Sequence, residues 1–155
     1  MSRLQLALNV PDIDEAVAFY SKLFASEPNK RQPGYANFAI ADPPLKLVLF
    51  ENAAADARLN HLGVEVMSTD EVAAHQARLS SEGLAPVDAS GTCCFARQEK
   101  VWVDGPDGAW EIYTVLEDSD SFRTSSTHAV DFDNTETSAD ALCCASMPES
   151  AGRCC

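Results

Sequence analysis

Apolar positions in the first 116 residues recur every second residue, then at helical spacing, then every second residue again, and the whole series occurs twice. The segment Gln5-Leu-Ala-Leu-Asn-Val10 lies over His61-Leu-Gly-Val-Glu-Val66, matching Leu6 with Leu62, Leu8 with Val64 and Val10 with Val66. Period two is the mark of a half-buried strand. Each segment is followed by a helix signature. In the first, Asp12 and Glu15 precede Ala16, Val17, Tyr20, Leu23 and Phe24; in the second, Ser68 and Glu71 precede Val72, Ala73, Gln76 and Leu79, with Gly83 as a stop. Both starts have the form of a capping box, and glycine suits a helix C-terminus.

Three short strand-like runs are expected after each helix. In the first half they fall near Pro28 to Arg31, Tyr35 to Ala41 and Leu45 to Glu51; in the second, near Pro86 to Ala89, Cys93 to Val103 with a bend around Gln98 to Lys100, and Ala109 to Leu116. The pattern predicts an α+β domain of two βαβββ modules, residues 1–52 and 58–116, whose concave sides enclose a cleft. Alternation sends Leu6, Leu8, Leu62 and Val64 towards the helices. It sends Gln5, Ala7, Asn9, His61, Gly63 and Glu65 towards the cleft.

Composition shifts after about residue 116. Residues 117–155 are rich in Ser, Thr, Asp and Ala and show no sustained period, which predicts a mostly disordered, acidic, cysteine-containing tail. The chain as a whole carries 24 acidic against 11 basic residues, a net charge of -13. That charge disfavours nucleic acid and anionic membrane surfaces. With no apolar run near 18 residues and no signal-like start, the expectation is a cytoplasmic protein acting on a small molecule, as a monomer or homodimer. Six cysteines stand as adjacent pairs, at 93–94, 143–144 and 154–155. In a reducing compartment such doublets read as soft-ion ligands rather than as a disulfide framework.

Gln5 and His61 hold equivalent repeat positions on the cleft face, and Glu111 and Tyr113 share one face of the last strand. An amide, an imidazole and a carboxylate can therefore converge as three ligands of a divalent first-row ion with open positions, an arrangement suited to ferrous iron. Taken singly, each would more often be an ordinary strand-end or core residue. The repeat register is what makes the set informative. Laying Pro44 to Val48 over Gly108 to Ile112 makes Leu47 the equivalent of Glu111, so no fourth ligand is expected there. Cys93 and Cys94 can reach one small ion only if the backbone bends, which Gly91 makes plausible; two thiolates prefer trivalent arsenic or cadmium. Lys100 also reaches the cleft in this reading, whereas His75, His128 and Arg97 are given no role, and the tail doublets are read as exposed thiols.

Together Gln5 to Val10, Pro33 to Leu49, Leu59 to Val66, Thr92-Cys-Cys-Phe-Ala96, Lys100-Val-Trp-Val103 and Trp110-Glu-Ile-Tyr113 resemble the ArsI and CadI group of the vicinal-oxygen-chelate (glyoxalase, bleomycin resistance, extradiol dioxygenase) superfamily. The resemblance covers residues 1 to about 116. It implies a non-heme Fe(II)-dependent dioxygenase of extradiol type that acts as a carbon–arsenic lyase, releasing arsenite from trivalent organoarsenicals, with dioxygen as co-substrate. Gln5, His61 and Glu111 match the iron ligands, Cys93 and Cys94 match the arsenical-binding thiols, and Tyr113 is the candidate catalytic side chain. Two other readings stay open: a non-enzymatic cadmium- or arsenite-binding stress protein, and a glyoxalase-like metal enzyme.

Overall fold

A computed structural model of the protein describes residues 1–106 and 108–120. Of the expected tail, residues 117–120 are described, and the first two of them are the end of the last strand rather than tail, held by the Arg97–Glu117 and Lys30–Asp118 ion pairs. The remainder, with His128 and the cysteines at 143, 144, 154 and 155, lies outside the described residues. The elements are β1 (Arg3–Val10), α1 (Ile13–Phe24), β2 (Lys30–Gln32), β3 (Tyr35–Ile40), β4 (Leu45–Glu51), β5 (Leu59–Glu65), α2 (Thr69–Ser81), β6 (Val87–Asp88), β7 (Gly91–Cys93), β8 (Ala96–Gly105) and β9 (Gly108–Asp118).

Both helices start where the capping pattern places them. Asp12 accepts from Glu15 N and Ser68 from Glu71 N, each satisfying an orphan donor of the first turn. Glu51, at the end of β4, accepts from Ile13 N at 2.9 Å and so fixes the entry of α1 onto the sheet. At the other end of α2, Gly83 has a positive φ of 81°, Leu84 N donates to Leu79 O and Gly83 N to Ser80 O. This is the glycine-terminated helix end the sequence predicts.

The strands form one mixed sheet in the order β2-β3-β4-β1-β5-β9-β8-β6, with β7 paired to β8. The two modules join through the antiparallel β1–β5 pair; each internal strand pair, β1–β4 and β5–β9, is parallel. The sheet curls into a half-barrel with both helices outside. Cores form on each side of it. One lies under α1 around Phe38, Leu47 and Leu49, one under α2 around Val72, Leu79 and Ile112, and a third inside the curl around Tyr35, Phe50, Cys93, Cys94 and Trp102.

Two expectations are corrected. The run from Cys93 to Val103 is not one bent strand: it is a hairpin, turning at Cys94-Phe95, with a further register shift between Arg97 and Gln98. The repeat equivalent of Glu111 is Val48, not Leu47, because Gly63 pairs with Glu111 where its equivalent Ala7 pairs with Val48. Leu47 faces α1. The alignment slipped by one because the turns leading into β4 and β9 differ, and a one-residue slip exchanges the two faces of a strand. Valine cannot bind a metal either, so the inference of a three-ligand set is unaffected.

Removing either cap should be felt in stability alone. Asp12→Ala and Ser68→Ala are each expected to lower the unfolding free energy by about 1 kcal/mol, read as a lower urea midpoint with an unchanged slope.

Candidate functional site: a donor triad beside a thiol turn

Three central strands place the first group of side chains. Gln5 of β1, Gly63 of β5 and Glu111 of β9 are direct cross-strand partners, forming one row across the concave face. His61, two residues from Gly63 on the same face, pairs with Ala7 in the next row. A Cβ at position 63 would lie 3.4 Å from Gln5 Cβ, 3.3 Å from Glu111 Cβ and 3.0 Å from the Glu111 carbonyl oxygen. Glycine there lets the amide and the carboxylate close over the strand between them. As a result Gln5 Nε2 stands 2.9 Å from His61 Nε2, and Glu111 Oε2 stands 3.2 Å from the same nitrogen. All three residues are deeply buried, with 5%, 1% and 2% exposure.

The hydrogen bonds behind His61 decide which ring nitrogen is available. Asn9 Nδ2 donates to the Ala57 carbonyl, which can only accept. The Asn9 oxygen therefore accepts from Asn60 Nδ2 at 2.9 Å, and the Asn60 oxygen accepts from His61 Nδ1 at 2.7 Å. The proton of the neutral ring sits on Nδ1, and the Nε2 lone pair faces Gln5 and Glu111. Asn60 should point to the opposite face from its neighbour His61. It does not, because β5 carries an extra residue: Ala7 pairs with His61 but Leu8 pairs with Leu59, leaving Asn60 as the bulge. Bulges re-aim side chains in this way. Neither Asn60 nor the bulge is marked in the sequence, which has no period signal for a single inserted residue.

A lone pair and a carboxylate oxygen facing each other at 3.2 Å repel unless a proton or cation lies between them. With the ring proton committed to Asn60, the donor set fits a divalent cation; a half-turn of the Gln5 amide presents its carbonyl oxygen in place of its NH2. Among the described residues no group of three or more His, Cys, Asp and Glu gathers, so the amide completes the set. Around it, Trp102 meets the His61 ring edge-on, with centroids 5.0 Å apart, and Lys100 Nζ stands 3.8 Å from Glu111 Oε1. Trp102 is a neighbour that sequence reasoning missed.

The thiols reach the same hollow by a different device. Cys93 pairs with Ala96 across a two-residue loop, Cys94-Phe95, in which both residues have positive φ, 55° and 62°. Two left-handed residues in a two-residue hairpin loop make a type I′ turn, normally built from Asn and Gly; for other side chains each such residue costs about 1 to 3 kcal/mol. The turn is what brings the two sulfurs together. Both cysteines are buried and their sulfurs stand 3.0 Å apart, well beyond the roughly 2.05 Å of a disulfide. One thiophilic atom can bond to both.

Gln5, His61, Glu111, Cys94, Tyr113 and Lys46 all line a single cavity of about 270 Å³, with Cys93 packed in the apolar cluster beside it. The Tyr113 hydroxyl is buried and makes no hydrogen bond among the described residues. Burial, then the carboxylates of Glu65 and Glu111, push its pKa well above the ordinary phenol value, so it stays a proton donor. The remaining histidine of the described residues, His75, lies on α2, and Arg97 pairs on the surface with Glu117.

A paired βαβββ half-barrel with an amide, imidazole and carboxylate meeting on its concave face defines a class: the two-module cleft domains with a metal-competent donor set. The chain belongs to the Glyoxalase/Bleomycin resistance protein/Dioxygenase superfamily, whose model matches residues 3–111. It is 56% identical over 146 residues to the cadmium-induced protein CadI of Mycobacterium tuberculosis H37Rv, covering 93% of each chain. It is 57% identical over 124 residues to a trivalent organoarsenical cleaving enzyme of Thermomonospora curvata, covering 78% of this chain and 82% of that one. Among solved structures, the Mn(II)-bound glyoxalase of Novosphingobium aromaticivorans shares the fold at 18% identity, with a TM-score of 0.55, over 82% of this chain and 44% of that one.

Two substitutions test this geometry directly. In the neutral imidazole, nitrogen NMR should show His61 protonated at Nδ1, and Asn60→Leu should abolish that preference. Gly63→Ala should leave the protein folded by circular dichroism but lower its affinity for divalent cations by calorimetry, roughly 10-fold or more, as changes that misdirect ligands do.

Proposed function

We propose that the protein is an Fe(II)-dependent, oxygen-consuming enzyme that cleaves the carbon–arsenic bond of trivalent organoarsenicals such as methylarsonous acid and reduced aromatic arsenicals. The observation that carries this reading is the meeting of the Cys94 thiol, 3.0 Å from that of Cys93, with Gln5, His61 and Glu111 around one small cavity. The identity to an organoarsenical cleaving enzyme over most of both chains supports it.

The residues give a definite sequence of binding events. A trivalent arsenical carries two exchangeable hydroxyls. Each cysteine thiol displaces one, forming an arsenic–sulfur bond and releasing water, so two thiols hold arsenic at two points and leave only its carbon substituent free to turn. Two-point attachment converts an encounter into a fixed approach. Gln5, His61 and Glu111 would hold ferrous iron, which when bound supplies a binding position for dioxygen and the electrons to activate it. Tyr113, held in its phenol form, donates a hydrogen bond to oxygen that gathers charge in the cavity. For methylarsonous acid the atoms balance with one dioxygen consumed: arsenite and formaldehyde are the products, the methyl carbon being oxidised as oxygen is reduced. Hydrolysis of the two arsenic–sulfur bonds frees both thiols again.

A second reading rests on the thiol turn alone: a buried pair of sulfurs 3.0 Å apart also suits capture of cadmium or arsenite without catalysis. The two readings diverge on whether iron is needed.

The deciding experiment supplies the metal-stripped protein with ferrous iron, air and methylarsonous acid, and measures arsenite and formaldehyde together. Equal amounts of the two are expected, with turnover lost on chelation. Cys94→Ser and His61→Ala should each reduce it by roughly 100-fold or more, the scale of losing fixed approach. Arsenite no greater than with the Cys93→Ser, Cys94→Ser double variant would remove the lyase reading and leave the binding one.

A further inference from the structure

The cavity holds a charge that the proposed cleavage leaves unused. Lys46, on β4, is the direct cross-strand partner of Gln5, so the two side chains stand on the same concave face. It is nine-tenths buried, at 9% exposure, and lines the cavity. The other cations of that wall are engaged: Arg3 pairs with Glu65, and Lys30 with Asp118 and the Phe95 carbonyl oxygen. Lys46 makes no hydrogen bond or ion pair among the described residues. Glu65 and Asp118 attract it only at longer range, being paired directly with Arg3 and Lys30.

A buried ammonium without a partner is costly, and water inside a small cavity compensates it only in part. It is tolerated where a ligand brings the missing anion. Nearby, the Asn37 oxygen is buried and makes no hydrogen bond, an acceptor on the same cavity wall. Lys46 and Asn37 come from the first module, whereas Cys93 and Cys94 come from the second. Lys46, Asn37, Cys94 and the donor triad all line the one cavity, so a ligand held there by sulfur also meets an ammonium.

We propose that Lys46 is a specificity-determining residue that anchors an anionic oxygen group, such as a carboxylate or phenolate, carried on the organic substituent of the arsenical. This rests on the organoarsenical reading of the site and narrows it to aryl arsenicals bearing an acidic substituent. Arsenic held by the thiols and an anion held by Lys46 would fix both ends of the ring, with its carbon–arsenic bond beside Gln5, His61 and Glu111. A methyl substituent reaches no such anchor and gains nothing from Lys46.

The test compares phenylarsonous acid with its 4-carboxy and 4-carbamoyl derivatives on the full chain, by equilibrium binding followed through tryptophan fluorescence and by arsenite release with ferrous iron present. Wild-type protein is expected to bind the 4-carboxy compound roughly 10- to 100-fold more tightly than the isosteric carbamoyl one, the range for a charge-assisted hydrogen bond. Lys46→Met should erase that preference and leave phenylarsonous acid unchanged, while Lys46→Arg should keep part of it. Equal affinity of wild-type protein for the two derivatives would overturn the proposal without recourse to any variant, as would an equal loss for all three ligands in Lys46→Met. Binding and cleavage of phenylarsonous acid with no carboxylate preference would sink only this inference. Failure to bind any of the three, together with no arsenite released from methylarsonous acid, would remove the organoarsenical reading beneath it.

Discussion

The register of three strands is the constraint on which the site depends. Gln5, Gly63 and Glu111 meet only because β1 runs antiparallel and β9 parallel to β5 with those residues in one row. Strand side chains alternate faces, so a slip of one residue in either pair would turn a donor into the helix-side core. What holds the register is therefore also what builds the site. The apolar residues between the ligands hold it. Leu6 and Leu8 pack towards α1, and Val64 and Ile112 towards α2, so each buried stripe pins its strand. The packing of the two outer cores and the placement of the donor set thus depend on the same strand registers.

Much of this was legible in the sequence because duplication repeats a period. Two matched alternating segments, each followed by a capped helical pattern, led to the βαβββ modules and to the cleft-side placement of Gln5, His61 and Glu111. What escaped was whatever breaks a period. The bulge at Asn60 inserts one residue into β5, and that one residue sets the tautomer of His61. The turn at Cys94-Phe95 has neither Gly nor Asn, so nothing in its composition marks it as a type I′ turn. The exchange of Leu47 for Val48 belongs to the same group, since loops entering β4 and β9 differ and only pairing registers resolve the offset. Each failure lies at or beside the cavity, where local preference yields to the needs of the site.

The strained turn and the polar relay solve related problems. Adjacent residues of a flat strand cannot present two sulfurs to one atom, and a backbone with two left-handed residues can. A histidine on a strand can present either nitrogen, and the relay from the Ala57 carbonyl through Asn9 and Asn60 leaves it one choice. In both cases the fold fixes lone pairs in a converging arrangement before any ligand arrives. Preorganisation of this kind spares the reorganisation that binding would otherwise require.

Duplication also explains how one small domain can hold unlike chemistries side by side. Taking Val48 as the equivalent of Glu111 fixes the rest of the correspondence along β4 and β9: Phe50 stands for Tyr113 and Lys46 for Ala109. The second module therefore carries the imidazole, the carboxylate, the phenol and the thiol turn, whereas the first carries an amide, an ammonium and aromatic wall. At the equivalent positions Gln5 and His61 both halves present a donor. An ancestral pair of identical halves would have opposed like groups across the cleft, and like charges at such distances disfavour each other. The two halves avoid that conflict: where one has a carboxylate the other has valine, and where one has a lysine the other has alanine. The strand pair β1–β5, where the halves join, is where the amide and imidazole of the two meet.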